Sequence, residues 1–360
     1  MLCNEDQDRK PVRGRPAIAS LADLADFDEV IDARSPGEFE EDHLPGAINL
    51  PVLDDAERAR VGTLYKQVSP FEAKRLGAAL VSRNIARHLE TWLADKPKRY
   101  RPLVYCWRGG TRSGALTHVL RSVGWQAAQL EGGYKTYRKT VLAELDTLPE
   151  RYRFVVICGP TGTGKSRFLR ALAELGGQVL DLEDLAAHMG SVLGAYPTRP
   201  QPGQKLFDSL VWDALRRFRP EHPVYVESES KKIGNLHTPE MLLRRMRASE
   251  CLNLTAPVPV RVALLKEEYA HFLADPARLN DQLDRLTELR GREVVVRWKV
   301  LAESGRWDEL VAELLKLHYD PAYQRSLGRN FIQSREGPHL TLESPDHSYI
   351  QHLAQGILAN

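Results

Sequence analysis

Residues 154–166 read FVVICGPTGTGKS. Five residues without a charge suit a buried strand, and the run Gly159-Pro160-Thr161-Gly162-Thr163-Gly164-Lys165-Ser166 follows it directly, matching G-x-x-x-x-G-K-[ST] in front of a helical stretch that begins near Arg167. In that setting the backbone N–H groups of Gly159, Thr161, Gly162, Thr163 and Gly164 cradle a diphosphate. Lys165 neutralises its oxygens, and the Ser166 hydroxyl reaches a magnesium ion. A chance glycine-rich turn would not come with both the strand and the helix.

Working outward, QVLDLE (178–183) reads as a strand, Leu206 to Phe218 as a helix, and PVYVES (223–228) and VPVRVALL (258–265) as further strands. Asp275–Leu289 and Trp307–His318 read as terminal helices. An acidic residue at the end of a second strand helps to hold the metal in such a fold. Two groups qualify: Asp181 and Glu183 after QVL, and Glu227 and Glu229 after PVYV.

Upstream, EVIDAR, AINLP, PLVYCW and AQLEGG alternate with helical segments, and the stretch from Asp54 to Leu93 is a helical excursion rich in Ala, Arg, Leu and Glu. Both halves therefore predict α/β folds with mostly parallel sheets. The expected organisation is a first domain over 14–140, a linker over 141–152, a phosphate-binding domain over 153–330 and a C-terminal segment, 331–360, of unassigned role.

Of the four cysteines, Cys106 stands out. CWRGGTRSG (106–114) follows an apolar strand; Gly109 and Gly110 allow a tight curve of backbone N–H groups, and Arg108 and Arg112 add positive charge. Such a loop at a helix N-terminus binds anions and favours a nucleophilic thiolate. Cys158 lies inside an apolar strand and reads as core, Cys3 lies in a tail, and Cys251 has no activating neighbour in sequence. No CxxC pair or Cys/His cluster suggests a disulfide framework or zinc.

The chain has 360 residues, 42% hydrophobic and 27% charged, with a net charge of +2. Its apolar runs are too short for a membrane span of about 20 residues. The opening MLCNEDQDRKPVRGRP lacks the apolar core of a secretory leader, so a cytoplasmic location is expected. The small net charge conceals basic clusters. Arg83 with Arg87, Lys135 with Arg138, and Arg244 with Arg245 and Arg247 are candidates for contact with nucleic-acid phosphates.

Two resemblances emerge from these residues. Asp32-Ala33-Arg34, Glu38-Phe39, His43-Leu44-Pro45-Gly46-Ala47-Ile48-Asn49 and Tyr105-Cys106 resemble the rhodanese family in order and spacing. In that family Asp32 and Arg34 are structural. Arg112 lies six residues after Cys106, whereas common sulfurtransferases place an arginine at five; rhodanese-like phosphatases share the longer spacing, which suits a bulkier anion.

The union of this module with a P-loop, together with Gly132-Gly133-Tyr134-Lys135-Thr136-Tyr137-Arg138, His188-Met189-Gly190-Ser191, Gln201-Pro202-Gly203-Gln204 and Val226-Glu227-Ser228-Glu229-Ser230, resembles the tRNA 2-selenouridine synthase family. The resemblance implies tRNA as partner and replacement of sulfur by selenium at C2 of a wobble 2-thiouridine. It also implies selenophosphate as the selenium donor and S-geranylation from geranyl diphosphate as a companion step. The same residues leave two alternatives: an ATP-dependent RNA or small-molecule kinase with an accessory rhodanese domain, and a non-catalytic anion or nucleotide sensor.

Overall fold

The structure is a computed structural model that describes residues 18–191 and 193–359. Cys3 and the first positions of the expected 14–140 domain lie outside the described residues. The chain forms two compact units that divide after Val141, inside the helix Gly133–Leu145. The span 141–152 contains the end of that helix and a short 3-10 turn, Leu148–Arg151. Among the described residues, no helix is long and apolar enough to cross a membrane.

In the first unit, β1 (Ile18–Ala19), β2 (Glu29–Asp32), β3 (Ile48–Asn49), β4 (Pro102–Tyr105) and β5 (Ala128–Leu130) form a parallel sheet in the order β1-β5-β4-β2-β3. The central β4 is buried along its whole length, as expected of a parallel strand covered on both faces. Ile31 and Val104 pack with Leu116, Leu120 and Ile85 in its core. The helical excursion consists of Asp55–Gln67 and Pro70–Glu90, begun by the caps Asp54 and Ser69, whose side chains accept from Glu57 N and Glu72 N. Cys106 leaves the C-terminal end of β4.

In the second unit, β6 (Phe154–Cys158), β7 (Gln178–Leu180), β8 (Val224–Glu227), β11 (Glu250–Thr255) and β12 (His339–Thr341) form a parallel sheet in the order β12-β11-β6-β8-β7, while β9 (Lys232–Ile233) and β10 (Leu236–His237) make a small hairpin. After β6 the chain passes beyond β8 to β7, and β11 later joins the opposite side of β6. The C-terminal ends of β6 and β8 therefore flank the point where successive connections diverge, which is where open α/β sheets place ligands.

The expected strand VPVRVALL is instead the helix Val258–Glu268. The apolar alternation at Val258, Val260, Val262 and Leu264 imitates a strand. However, Pro259 occupies the first helical turn, where it needs no N–H partner, and the buried face combines Arg261, Val262, Leu264 and Leu265 at helical spacing. The strand is ECLNLT (250–255), with four consecutive buried residues.

The expected helix over 275–289 is split into Pro276–Asp284 and Thr287–Arg290, and the one beginning at Trp307 passes into a π turn at Leu315–Tyr319. Residues 331–360 are integral to this unit. They supply β12, and the helix His347–Leu358 places Ile350 and Ala354 in one core with Phe168 and Leu172 of the helix Lys165–Glu174.

Candidate functional site

Cys106 sits at the floor of a loop between β4 and the helix Thr111–Val123 and is almost fully buried. Ser113 donates to its Sγ at 3.0 Å, and Gln129 Nε2 donates to Ser113 Oγ at 2.8 Å and to the Gly110 carbonyl at 3.1 Å. The loop is braced from below by residues 132–138. Tyr134 N and Lys135 N donate to the carbonyls of Cys106 and Trp107 at 2.8 and 2.9 Å. A Cβ at Gly133, whose φ is +59°, would collide with the Cys106 carbonyl and the Gly109 amide. Sequence reading did not single out Ser113 or Gln129; Ser113, seven residues after Cys106 and in the first turn of the helix, was the legible one.

The two arginines of the loop differ. Arg108 is exposed at the tip, whereas Arg112 Nη1 donates to Glu38 Oε2 at 2.7 Å, with Arg58 at 2.9 Å from the same oxygen. Burial alone would raise the Glu38 carboxyl, but the Arg112 hydrogen bond and charge outweigh it and hold the carboxyl below its ordinary value. Arg112 thus belongs to an ion-paired cluster beside the loop. Asp32 and Arg34 form a buried pair at 2.7 Å, and Arg34 also donates to the Asp42 carbonyl.

In the second unit, the residues from Gly159 to Ser166 turn from β6 into the helix Lys165–Glu174. Gly164 caps it at φ +80° and Gly162 adopts +79°, left-handed values that other residues rarely take. Thr163 Oγ1 donates back to the Pro160 carbonyl at 2.9 Å, and Arg261 clamps the loop from the neighbouring helix by donating twice to the Thr161 carbonyl, at 2.9 and 2.7 Å. Arg261 is itself held by Asp320 at 2.6 Å.

Both acidic groups foreseen in the sequence converge on this loop. Lys165 Nζ lies 3.3 Å from Glu227 Oε1, and Ser166 Oγ donates at 3.2 Å to Glu183 Oε2 and to Glu227 Oε2. Glu183, Glu227 and Glu229 offer oxygens all within 4.8 Å of one another. Glu227 ends β8 beside β6, the position from which a carboxylate supports a P-loop metal. Asp181 stands nearby as the cap of Leu182–Leu185, accepting from Asp184 N at 2.9 Å.

Burial, reinforced by neighbouring charge, makes Glu229, Glu183 and Asp181 resist ionisation. Burial and then the Glu227 charge push Glu229 up to about 8, and burial with Glu227 and Glu229 raises Glu183 well above the carboxyl range. Asp181 is also raised, chiefly by burial. Burial works against a charged Lys165, but Glu227, Glu183 and Glu229 outweigh it and raise its ammonium. Such a set of hard oxygen donors suits a divalent cation that would neutralise the excess negative charge.

The P-loop and acidic residues line a cleft of about 910 Å³, together with Arg167, Arg170, Tyr269, His318, Tyr319 and Tyr323. None of these six was singled out from sequence, because they come from helices and a turn scattered between residues 165 and 323. His318 shows how the fold prepares such a wall. Arg290 donates to its Nδ1 at 3.0 Å and to its carbonyl at 3.2 Å, so the neutral ring carries its proton on Nε2.

The basic candidates fall into two kinds. Arg83, Arg87, Lys135 and Arg244 are exposed, with Arg87 also donating to Asn84 at 2.8 Å. Arg138 lies 3.8 Å from the buried Asp42, and Arg245 donates to the Tyr152 carbonyl at 3.3 Å. Arg247 is half-buried. Cys158 and Cys251 are both buried, on the adjacent strands β6 and β11.

Comparison with known proteins places these two sites in matching domains. A rhodanese-like domain model matches residues 17–140 and contains Cys106; a tRNA 2-selenouridine synthase AAA domain model matches 152–292 and contains the P-loop. A tRNA 2-selenouridine synthase of Nitrosomonas europaea is 37% identical over 67% of this chain and 63% of its own. That of Bdellovibrio bacteriovorus is 35% identical over 84% of this chain and 90% of its own, and that of Shewanella sediminis 35% identical over 85% and 89%. With both domain models matched in order and two of these relatives aligned over about nine-tenths of their own length, the chain belongs to the tRNA 2-selenouridine synthase family.

Proposed function

We propose that this protein modifies the wobble uridine of tRNA, exchanging the sulfur of a 2-thiouridine for selenium, and that it does so in two chemical steps served by two sites. In the first, the C2 sulfur attacks C1 of geranyl diphosphate; a C–S bond forms, the C–O bond breaks, and diphosphate leaves. Sulfur is a poor leaving group as a thiocarbonyl, but once alkylated it departs as geranyl thiol. In the second step the selenium of selenophosphate attacks C2; a C–Se bond forms as the C–S bond breaks and geranyl thiol leaves, and water then cleaves the P–Se bond to release phosphate.

The observation that carries this reading is the convergence of Lys165, Ser166, Glu183 and Glu227 on one P-loop cleft. The loop amides and Lys165 bind the diphosphate and stabilise the charge it gains on leaving. Ser166, Glu183, Glu227 and Glu229 would hold a magnesium ion, which supplies further charge neutralisation when bound. The Cys106 loop, with its backbone N–H groups, the exposed Arg108 and nearby Arg112, handles the selenium-bearing anion, with the Cys106 thiol at its floor. Exposed Arg83, Arg87, Lys135 and Arg244 are the phosphate contacts for tRNA, which gives affinity that falls with salt. A soluble, cytoplasmic enzyme suits this substrate.

Mass spectrometry of tRNA nucleosides after incubation with geranyl diphosphate and selenophosphate tests the reading. Lys165→Ala should stop geranylation yet leave selenation of pre-geranylated tRNA largely intact, and Cys106→Ala should do the reverse. Equal loss of both steps in each variant would rule out the division of labour. One observation favours a second reading, an ATP-dependent kinase: Glu227 accepts from Ser166 at the position of a nucleotide–magnesium site. Steady ATP turnover that needs Lys165 and not Cys106 would favour it.

A further inference from the structure

We propose that a second, apolar chamber beside the P-loop cleft receives the far end of the donor's hydrocarbon chain, and that its size sets the chain length accepted. This rests on the reading of the P-loop as a diphosphate cradle. Thr161, Leu265, Tyr269 and Tyr319 line both the cleft and a chamber of about 60 Å³, so the two spaces adjoin. Beyond these shared residues the chamber wall is made by Leu273, Leu310, Leu314 and further apolar side chains, together with Lys266, whose ammonium is paired with Asp308 at 2.6 Å.

The border has a polarity. Ser191 lines the cleft, and its Oγ lies 3.0 Å from the Tyr269 hydroxyl. The polar end of Tyr269 is therefore tied to the cleft side, while its ring stacks on Phe272, a chamber residue. Arg261 joins the same border to the phosphate loop through the Thr161 carbonyl. A ligand anchored by its diphosphate thus meets an apolar compartment at one end of the cleft. A nucleoside placed there would leave its polar edges without partners, whereas a hydrocarbon would lose nothing.

Volume limits the chain. One water takes roughly 10–15 Å³ of such space, so about 60 Å³ corresponds to some four to six waters, or a hydrocarbon segment of a few carbons. That accommodates one isoprene-sized unit beyond the part of the chain that must stay in the cleft for reaction. It excludes a long alkyl tail.

Equilibrium binding to the full chain tests this with inorganic diphosphate, geranyl diphosphate and farnesyl diphosphate as probes. Burial of a terminal branched segment should make geranyl diphosphate bind at least about tenfold tighter than inorganic diphosphate. Leu273→Trp, which fills the chamber, should bring that ratio close to one; Leu314→Ala, which enlarges it, should shift preference toward the farnesyl ester. Unchanged binding of inorganic diphosphate reports that each variant is folded. If neither variant alters the ratio while inorganic diphosphate still binds through Lys165, the chamber is not the tail subsite and the cradle reading survives. If the unaltered protein binds no diphosphate at all, the cradle falls and the chamber with it.

Discussion

Replacing Glu229 by Gln should stabilise the P-loop unit, and should do so increasingly as the pH rises. Glu229 is buried within a cluster of three carboxylates, where burial and the Glu227 charge push it from an ordinary 4.5 up to about 8. The folded protein therefore keeps a proton that the unfolded chain has already released. This contribution to stability is complete below about pH 4.5 and is lost progressively as the pH climbs through about 8.

At 1.36 kcal/mol per pH unit, the upper limit of that loss is about 5 kcal/mol. Glu183 shares the repulsion and can take the proton in place of Glu229, so a net difference of about 2 kcal/mol is the expected size near pH 8. For a unit of this size that amounts to roughly 4–8 °C in the unfolding temperature. Calorimetric unfolding of wild type and Glu229→Gln, at steps between about pH 5 and 8, reads the effect directly. The curves should meet at the acid end and diverge toward the alkaline end, with magnesium narrowing the gap by stabilising the ionised wild-type cluster. Parallel curves would mean that Glu229 is not held protonated by its surroundings.

Three further outcomes follow from the geometry. Gly133→Ala should cost the rhodanese unit about 1–3 kcal/mol in urea unfolding, because its Cβ meets the Cys106 carbonyl and Gly109 amide at a positive φ; a neutral result would mean that the loop has room to shift. Asp32→Asn should cost about 3–5 kcal/mol in the same assay by leaving Arg34 buried without its charge partner. Glu38→Gln should release Arg112 and strengthen binding of inorganic sulfate at the Cys106 loop, measured by protection of the thiol from alkylation. It should also remove a stabilising contribution that wild type has above the ordinary carboxyl range and loses as the pH falls through the lowered value of Glu38.

How much of this was legible depends on the range of the interaction. The P-loop, the cysteine loop and their strands are local patterns, since a β-strand followed by a glycine-rich turn and a helix is written in adjacent residues. The strand misplaced at 258–265 shows where local pattern fails. An alternating apolar run with a proline in its first turn satisfies either period, and burial of Arg261, Val262, Leu264 and Leu265 at helical spacing made it a helix. Residues 331–360 carried no motif, yet they complete the sheet edge and cover the helix Lys165–Glu174, because an edge strand and its helix are recognised by what they cover.

The sequence alone determined that one cysteine loop and one P-loop motif lie on two successive parallel sheets, since each motif carries its own strand and helix. Tertiary structure decided what surrounds them. It brought Glu183 and Glu227, 44 positions apart, onto the Ser166 hydroxyl, paired Arg112 with Glu38, and set an apolar chamber beside Thr161 using helices more than a hundred residues downstream. The physical reason is that hydrogen bonds within a turn are encoded by neighbours. Burial, charge crowding and cavity shape arise only when distant elements pack together.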